Sequence, residues 1–563
     1  MKKNRILAGV LAIGLIMAGS GCRAQKAYEA QPPAAGSREN GTIRSEDSQV
    51  LNLQLDAEIS TLDPQAAVDS ASFEVIACLM EGLYTIDENG SPKPAMAERM
   101  EVSQDGRSYR FYLRDAVWSD GQPVTAEDFV YSWRRGIDPD QGNENAALFR
   151  IAGLLHAEEI LSGTADAKLL GVRAADEKVL EVELSRPVPY FISMLALPEF
   201  YPMNQAFFES CQGQYGISPD TVLGNGPFCL EYYQPAGQEI RLVKNPDYWQ
   251  ADRVKLDEIS YQVVKDSQQA LMVYEQGMLD MALLSGKQVE LYGDSPEFRS
   301  LPLGSLWYIS PNLRTAGLEN ESLRMALALS YDKETAVSMV MKDGSKAAYC
   351  AVPANSMYGP DGQDFRDGAA EYLKTDKELA ARYLEQAKQE LGQDAFTFTL
   401  LIEDTEAAGN LGQFLQEEIQ NALPGVAIQL EPVPKKMRLE RMASGDYELG
   451  LTRWGADYSD PLAFLDMWTT DSAFNYGKWS DPVYDQLIAS ASQEPLTLDA
   501  AARWETLHQA EARVLEQAVI FPVCEKANGM LLRSTVKNAQ FHTIGVNRVW
   551  SHAWKEAGEA SAR

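Results

Sequence analysis

Apolar segments of strand length and amphipathic segments of helix length alternate along this chain from residue 50 to about residue 523, and that alternation narrows the fold more than any other feature. Leu51, Leu53 and Leu55 alternate with other residues as in a half-buried strand, and Ser60-Thr61-Leu62-Asp63-Pro64 leads from it into a predicted helix over 72–80. Asp105-Gly106 closes a predicted hairpin over 102–114. Thr125 with Asp128 makes a capping box for a helix running through Arg135. Strands are predicted at 230–233, 239–243 and 259–264, with a helix at 267–276. Beyond residue 306, helices at 324–329, 332–341, 376–391 and 411–423 alternate with strands at 396–402 and 426–431. A helix over 498–515 and a strand over 518–523 follow. The pattern is α/β.

At 563 residues the chain is too long for one core, so two or three domains are expected. Its charge is 50 − 81 = −31, with no basic stripe after the N-terminus, which argues against a nucleic-acid partner. Cys78, Cys211, Cys229, Cys350 and Cys524 are scattered without metal or redox spacing, although a Cys211–Cys229 pair stays open. His156, His508, His542 and His552 are not paired at ligand spacing. Neither metal nor cofactor is expected. Esterase, metalloprotease and Ser/His/Asp patterns are missing, so an enzyme is not expected either.

The N-terminus carries an address. Lys2, Lys3 and Arg5 precede an apolar run over 6–18 and then Gly19-Ser20-Gly21-Cys22, a signal peptide over 1–22 that is too short to span a membrane. The cysteine after small residues resembles a lipoprotein processing box, with Gly19 where such boxes usually carry Leu. Cys22 is the expected lipidation site. Residues 23–49, rich in Ala, Gln, Pro, Gly and Ser, read as a flexible tether.

Residues 449–461 combine two carboxylates with different readings. Asp460-Pro461 ahead of Leu462, Phe464 and Leu465 reads as a helix start, with Asp460 as cap and Pro461 at the first helical position. Asp457, between Trp454 and Tyr458 at the end of a strand, is either an ordinary loop aspartate or a partner for a cation in a partly desolvated cleft.

Taken in order, Leu62-Asp63-Pro64, Glu81-Gly82-Leu83, Asp105-Gly106, Trp118-Ser119-Asp120-Gly121, Gly226-Pro227-Phe228, Asn245-Pro246 with Tyr248-Trp249, Arg324 with Ala326-Leu327, and Asp457-Tyr458 with Asp460-Pro461 resemble the oligopeptide- and dipeptide-binding lipoproteins of ABC importers. The resemblance implies a type II periplasmic-binding-protein-like fold with three domains, whose two lobes close on a central cleft. It implies a split domain I over 50–80, 205–305 and 525–555, a small domain II over 81–204, and an inserted domain III over 306–524. By position, Asp457 matches the acidic residue that pairs with a peptide α-ammonium. Trp454 and Gly455, flanked by Arg453 and Tyr458, fall where domain III offers backbone groups to the ligand, and Asp69 and Ser70 fall on the facing wall. Asn145 stands where many members carry a tyrosine near the ligand's N-terminus. Lys435, Lys436, Arg438 and Arg441 are candidate partners of the C-terminal carboxylate.

The expected function is capture of short peptides and delivery to ABC-transporter permease subunits, by a monomer anchored through lipid at the outer face of the cell membrane. The alternatives are another solute, such as a nickel complex, haem or a sugar, or sensing of a peptide pheromone. The match at Asp457 and the scarcity of histidine disfavour the other solutes.

Overall fold

The structure, a computed structural model, describes residues 49–359 and 362–556. The expected signal peptide, the tether up to residue 48 and Cys22 lie outside the described residues.

The strands up to residue 532, in chain order, are β1 (Val50–Leu55), β2 (Tyr84–Ile86), β3 (Pro92–Pro94), β4 (Ala97–Val102), β5 (Ser108–Leu113), β6 (Val172–Asp176), β7 (Val179–Glu183), β8 (Phe228–Tyr233), β9 (Glu239–Lys244), β10 (Glu258–Val263), β11 (Met281–Leu284), β12 (Phe298–Pro311), β13 (Lys346–Ala347), β14 (Phe396–Glu403), β15 (Val426–Val433), β16 (Leu449–Gly455) and β17 (Phe521–Leu532). Among the larger sheets, one has the order β1-β10-β9-β8, with β1 parallel to β10 and the rest antiparallel. A second, antiparallel throughout, has the order β4-β5-β7-β6. The largest has the order β11-β17-β12-β16-β14-β15, with β13 added on β17. Helices cover these sheets because their buried residues recur on one face, as in Ala126–Ile137, whose Phe129, Val130 and Trp133 enter the core.

β12 and β17 run unbroken through positions 305 and 524, where domain boundaries were expected. β11 and the first half of β12, expected in domain I, pair with β17 in the largest sheet. The β12–β17 register skips between Pro302 and Leu306, a bulge of the kind that bends a strand beside a site.

The sequence motifs are tertiary staples. The Glu81 carboxylate accepts from Tyr248 Oη at 2.9 Å and Trp249 Nε1 at 2.7 Å, so two distant motifs close on one acid. Asn225 clasps the Glu81 backbone from both sides at 3.0 Å. A Cβ on Gly82 would stand 2.7 Å from the Tyr201 ring and 2.8 Å from the Leu195 carbonyl, so only glycine fits there. Asp63 holds Arg135 at 2.6 Å.

Three expectations change. Residues 332–341 are not one α-helix: Lys333–Thr335 is a single turn and Ala336–Met341 a π-helix, in which Lys342 N donates to Val337 O. The strand expected at 518–523 starts at Phe521, because Ala518 adopts φ 46° and turns the chain after the preceding helix. Cys211 and Cys229 are both free thiols.

The helix expected to start at Pro461 starts one residue later, as Leu462–Leu465, with Pro461 rather than Asp460 at the cap position; Asp460 Oδ1 still accepts from Leu462 N at 3.0 Å. The same carboxylate also takes both Arg503 guanidinium nitrogens, at 2.7 and 2.8 Å, with both side chains buried. This bidentate pair clamps the turn after β16 to the helix Ala500–Glu516. Arg503→Ala strands a buried carboxylate and should lower the unfolding free energy by roughly 3–5 kcal/mol in urea titration, whereas the double variant Arg503→Met/Asp460→Leu should lose less.

Candidate functional site

β16 is built to carry a site at its end. Leu449, Gly450, Leu451 and Thr452 are buried, and a Cβ on Gly450 would meet Met442 Cε at 2.7 Å. On one side β16 pairs with β12 all the way to Ser305↔Gly455. On the other, β14 pairs only with Leu449 and Gly450, so from Leu451 onward that edge carries no strand among the described residues. Past Gly455 the chain bends, with Ala456 N donating to Gly304 O at 3.2 Å.

The free edge borders a cleft of about 570 Å³, to which Asp56, Ser70, Ser305, Lys435, Arg453 and Asp457 contribute. Asp457 meets water there, but the surrounding walls exclude enough of it to raise the carboxyl above its ordinary range. Among the described residues Asp457 has no cation and no hydrogen-bond donor, and Lys435 and Arg453 have no carboxylate. Asp56 on the same lining is likewise without an ion pair, so among the described residues the cleft holds two unpaired carboxylates and two unpaired cations.

Of the other residues expected at the site, Trp454 and Gly455 line this cleft; Trp454 is set by Nε1 donating to Ala463 O at 2.8 Å and by its ring lying 4.7 Å from Phe474. Ser70 lines the facing wall at the start of the helix Ser70–Leu79. Asp69 is that helix's cap: its carboxylate accepts from Ser72 N at 2.8 Å and from the hydroxyls of Ser60 and Ser72, so its charge is held away from the cleft. Tyr458 is buried with its ring 4.8 Å from Tyr190 and faces a different chamber. Of the four candidate cations for a carboxylate, only Lys435 lines the cleft. Arg438 is buried against Glu403 at 2.8 Å, Arg441 pairs with Glu431 at 2.6 Å, and Lys436 with Glu440 at 4.0 Å.

Asn145 does not line the cleft. Its Nδ2 donates to Ala67 O at 2.9 Å and to Glu199 Oε1 at 3.0 Å. Glu199, not among the residues expected here, is only 5% exposed. Burial is the main cause raising its carboxyl to about 7, and the charge of Asp457 adds to it. No pattern in the local sequence marks Glu199, since a Leu-Pro-Glu-Phe segment could equally lie on the surface.

A larger chamber, of about 1000 Å³, shares only Leu301 with this cleft. Size does not choose between them; the open strand edge and unpaired charges of both signs point to the smaller one. No group of three or more metal-ligating side chains occurs among the described residues, and no helix there is long and apolar enough to cross a membrane.

An α/β frame with a charged cleft flanked by an open strand edge defines a solute receptor. The chain belongs to the bacterial extracellular solute-binding proteins, family 5, whose model matches residues 91–476. It is 31% identical over 528 residues to a dipeptide-binding protein of Lactococcus lactis, covering 89% of this chain and 94% of that one. The structure is similar to the substrate-binding domain of an oligopeptide ABC transporter from Bacillus anthracis, with a TM-score of 0.71 at 35% identity over 91% of this chain and 99% of that one. With the unliganded open form of the periplasmic murein tripeptide-binding protein MppA, the TM-score rises to 0.78 at 27% identity, over 90% and 98% of the two chains.

Glu199 binds its proton more tightly in the folded chain than unfolded, 4.5 becoming about 7, so its penalty to stability grows as pH climbs through that window and is complete above it. Glu199→Gln, which mimics the protonated acid, should raise stability at pH 8 by up to about 3 kcal/mol and change it little at pH 4.5, as read by chemical denaturation at the two pH values.

Proposed function

We propose that this protein captures short peptides outside the cell and hands them to the permease of an ABC importer. The observation that carries this reading is the free edge of β16 running into the unpaired carboxylate of Asp457. An extended peptide adds to such an edge through main-chain hydrogen bonds, which are indifferent to side chains. Its α-ammonium pairs with Asp457, and its carboxylate lies toward Lys435 or Arg453 in the same cleft. Ser70 faces the peptide from the opposite wall.

The division into domain I (50–80, 205–305, 525–555), domain II (81–204) and domain III (306–524) belongs to this reading, with β12 and β17 as the two strands joining the lobes. Likeness to an unliganded open form supports a cleft waiting to close. The protein acts as a monomer and performs no chemistry on its ligand. Lipid on Cys22 holds it at the outer face of the membrane, a reading that rests on the sequence over 1–22.

Asp457→Ala should weaken binding of a free short peptide by roughly 2–5 kcal/mol in calorimetry, the scale for losing one partner of a charge pair buried on closure. An N-acetylated peptide should lose a comparable amount against the unaltered protein. Equal affinities in either comparison reject the ammonium-reading role. Separately, Cys22→Ala should move the protein from the membrane fraction to the soluble fraction of its host, whereas retention in the membrane would exclude the lipid anchor.

A further inference from the structure

The larger chamber, about 1000 Å³, is walled by three separate regions of the chain. Lys93 of β3 stands on one side, Arg253 and Lys255 from the connection between β9 and β10 on another, and Tyr358 and Ser459 on a third. The C-terminal segment adds His542, His552 and Trp554.

Its charge is unusual for this chain. Acidic residues outnumber basic ones by 81 to 50, yet Lys93, Arg253 and Lys255 all line one chamber and none forms an ion pair among the described residues. Of the two carboxylates on the same lining, Glu81 is held by Tyr248 and Trp249, and burial pushes it toward its neutral form. Glu88 is exposed.

The positive groups stand among aromatic rings. Lys255 Nζ lies 4.2 Å from the centre of the Trp554 ring, and Trp249 forms part of the same wall. His542, 9% exposed, presents a buried Nε2 that has no hydrogen-bond partner. Burial lowers that imidazole to about 4 against the opposing charge of Asp87, with Lys93 adding a smaller push, so Nε2 can serve a ligand without adding charge. Burial, Lys93 and Arg253 likewise depress His552, which places both cations within electrostatic reach of one spot.

We propose that this chamber is a second binding site, separate from the peptide cleft, for an amphipathic organic anion. The apolar body lies against Trp249 and Trp554, the acidic head is held by Lys93 and Arg253, and His542 Nε2 contributes a hydrogen bond. A cavity of this size with aromatic walls and a few convergent polar groups is the usual form of a small-molecule site. The proposal does not depend on the peptide reading, because the two cavities share only Leu301.

Pyrene-1-butyrate, a flat aromatic carboxylate that accepts energy from excited tryptophan, is the probe, with the neutral pyrene-1-butanol as its counterpart. The full mature protein should bind the acid at one saturable site with tryptophan-to-pyrene energy transfer, and at least tenfold more tightly than the alcohol. Lys93→Ala/Arg253→Ala should weaken the acid at least tenfold and erase its advantage over the alcohol, whereas Asp457→Ala should leave it unchanged. Should the double variant misfold by circular dichroism, Lys93→Gln alone and the fall in affinity between 50 and 500 mM salt decide the same question. Equal binding of acid and alcohol, indifference to the lysine and arginine changes, a changed affinity in Asp457→Ala, or no saturable binding would each overturn the proposal. A change in Asp457→Ala, above all the gain expected when a carboxylate beside Lys435 and Arg453 is removed, would place the anion in the peptide cleft.

Discussion

Asp457 stands exposed at the end of a strand with no cation paired to it among the described residues, and the cleft walls exclude enough water to raise its carboxyl above the ordinary range. An uncompensated charge in such surroundings costs free energy that a partner from outside can relieve. Glu199, buried and raised to about 7, deepens the imbalance, since among the described residues it has no cation and its side chain accepts from the Asn145 amide and a backbone N–H. Asp457 thus lacks a positive partner among the described residues although Lys435 and Arg453 line the same cleft, and the neighbouring strand edge is unpaired beyond Gly450. On the proposed reading, a short peptide with a free amino end supplies both.

Holding that arrangement is the task of interactions that never touch a ligand. The Asp460–Arg503 pair fixes the turn that presents Asp457, and the bulge in β12 brings Gly304 and Ser305 under Gly455 and Ala456. On the other wall, Asp69 pins the start of the helix Ser70–Leu79, while Glu74 in that helix binds Arg548 and Trp550 at 2.6 and 2.7 Å, tying the wall to the C-terminal segment. The walls of the cleft are thus held by buried charge pairs and caps on regular elements rather than by the residues that line it.

The electrostatic layout separates the two cavities. The peptide cleft carries both signs of unpaired charge, as suits a zwitterion, while the larger chamber gathers unpaired cations among aromatic rings. In a chain of net charge −31, neither concentration of free cations follows from composition. It follows from which surface lysines and arginines the fold leaves without an acidic neighbour.

Local pattern sufficed for much of the architecture. The hairpin at Asp105-Gly106, the capping box at Thr125 and Asp128, and the strands β8, β9, β10, β14 and β15 were legible because turn chemistry and side-chain period act over a few residues. The signal for Asp457 was equally local: a carboxylate with aromatic neighbours just past a strand. By itself the sequence determined the α/β class, the family and the strand that borders the cleft. Only the tertiary structure decided that Asp69 is a cap, that Asn145 turns to Glu199, that Arg438 and Arg441 already have acids, and that Lys93 and Arg253 lack them among the described residues. The reason is physical: whether a charge is free depends on partners tens or hundreds of residues away, and no spacing along the chain records them.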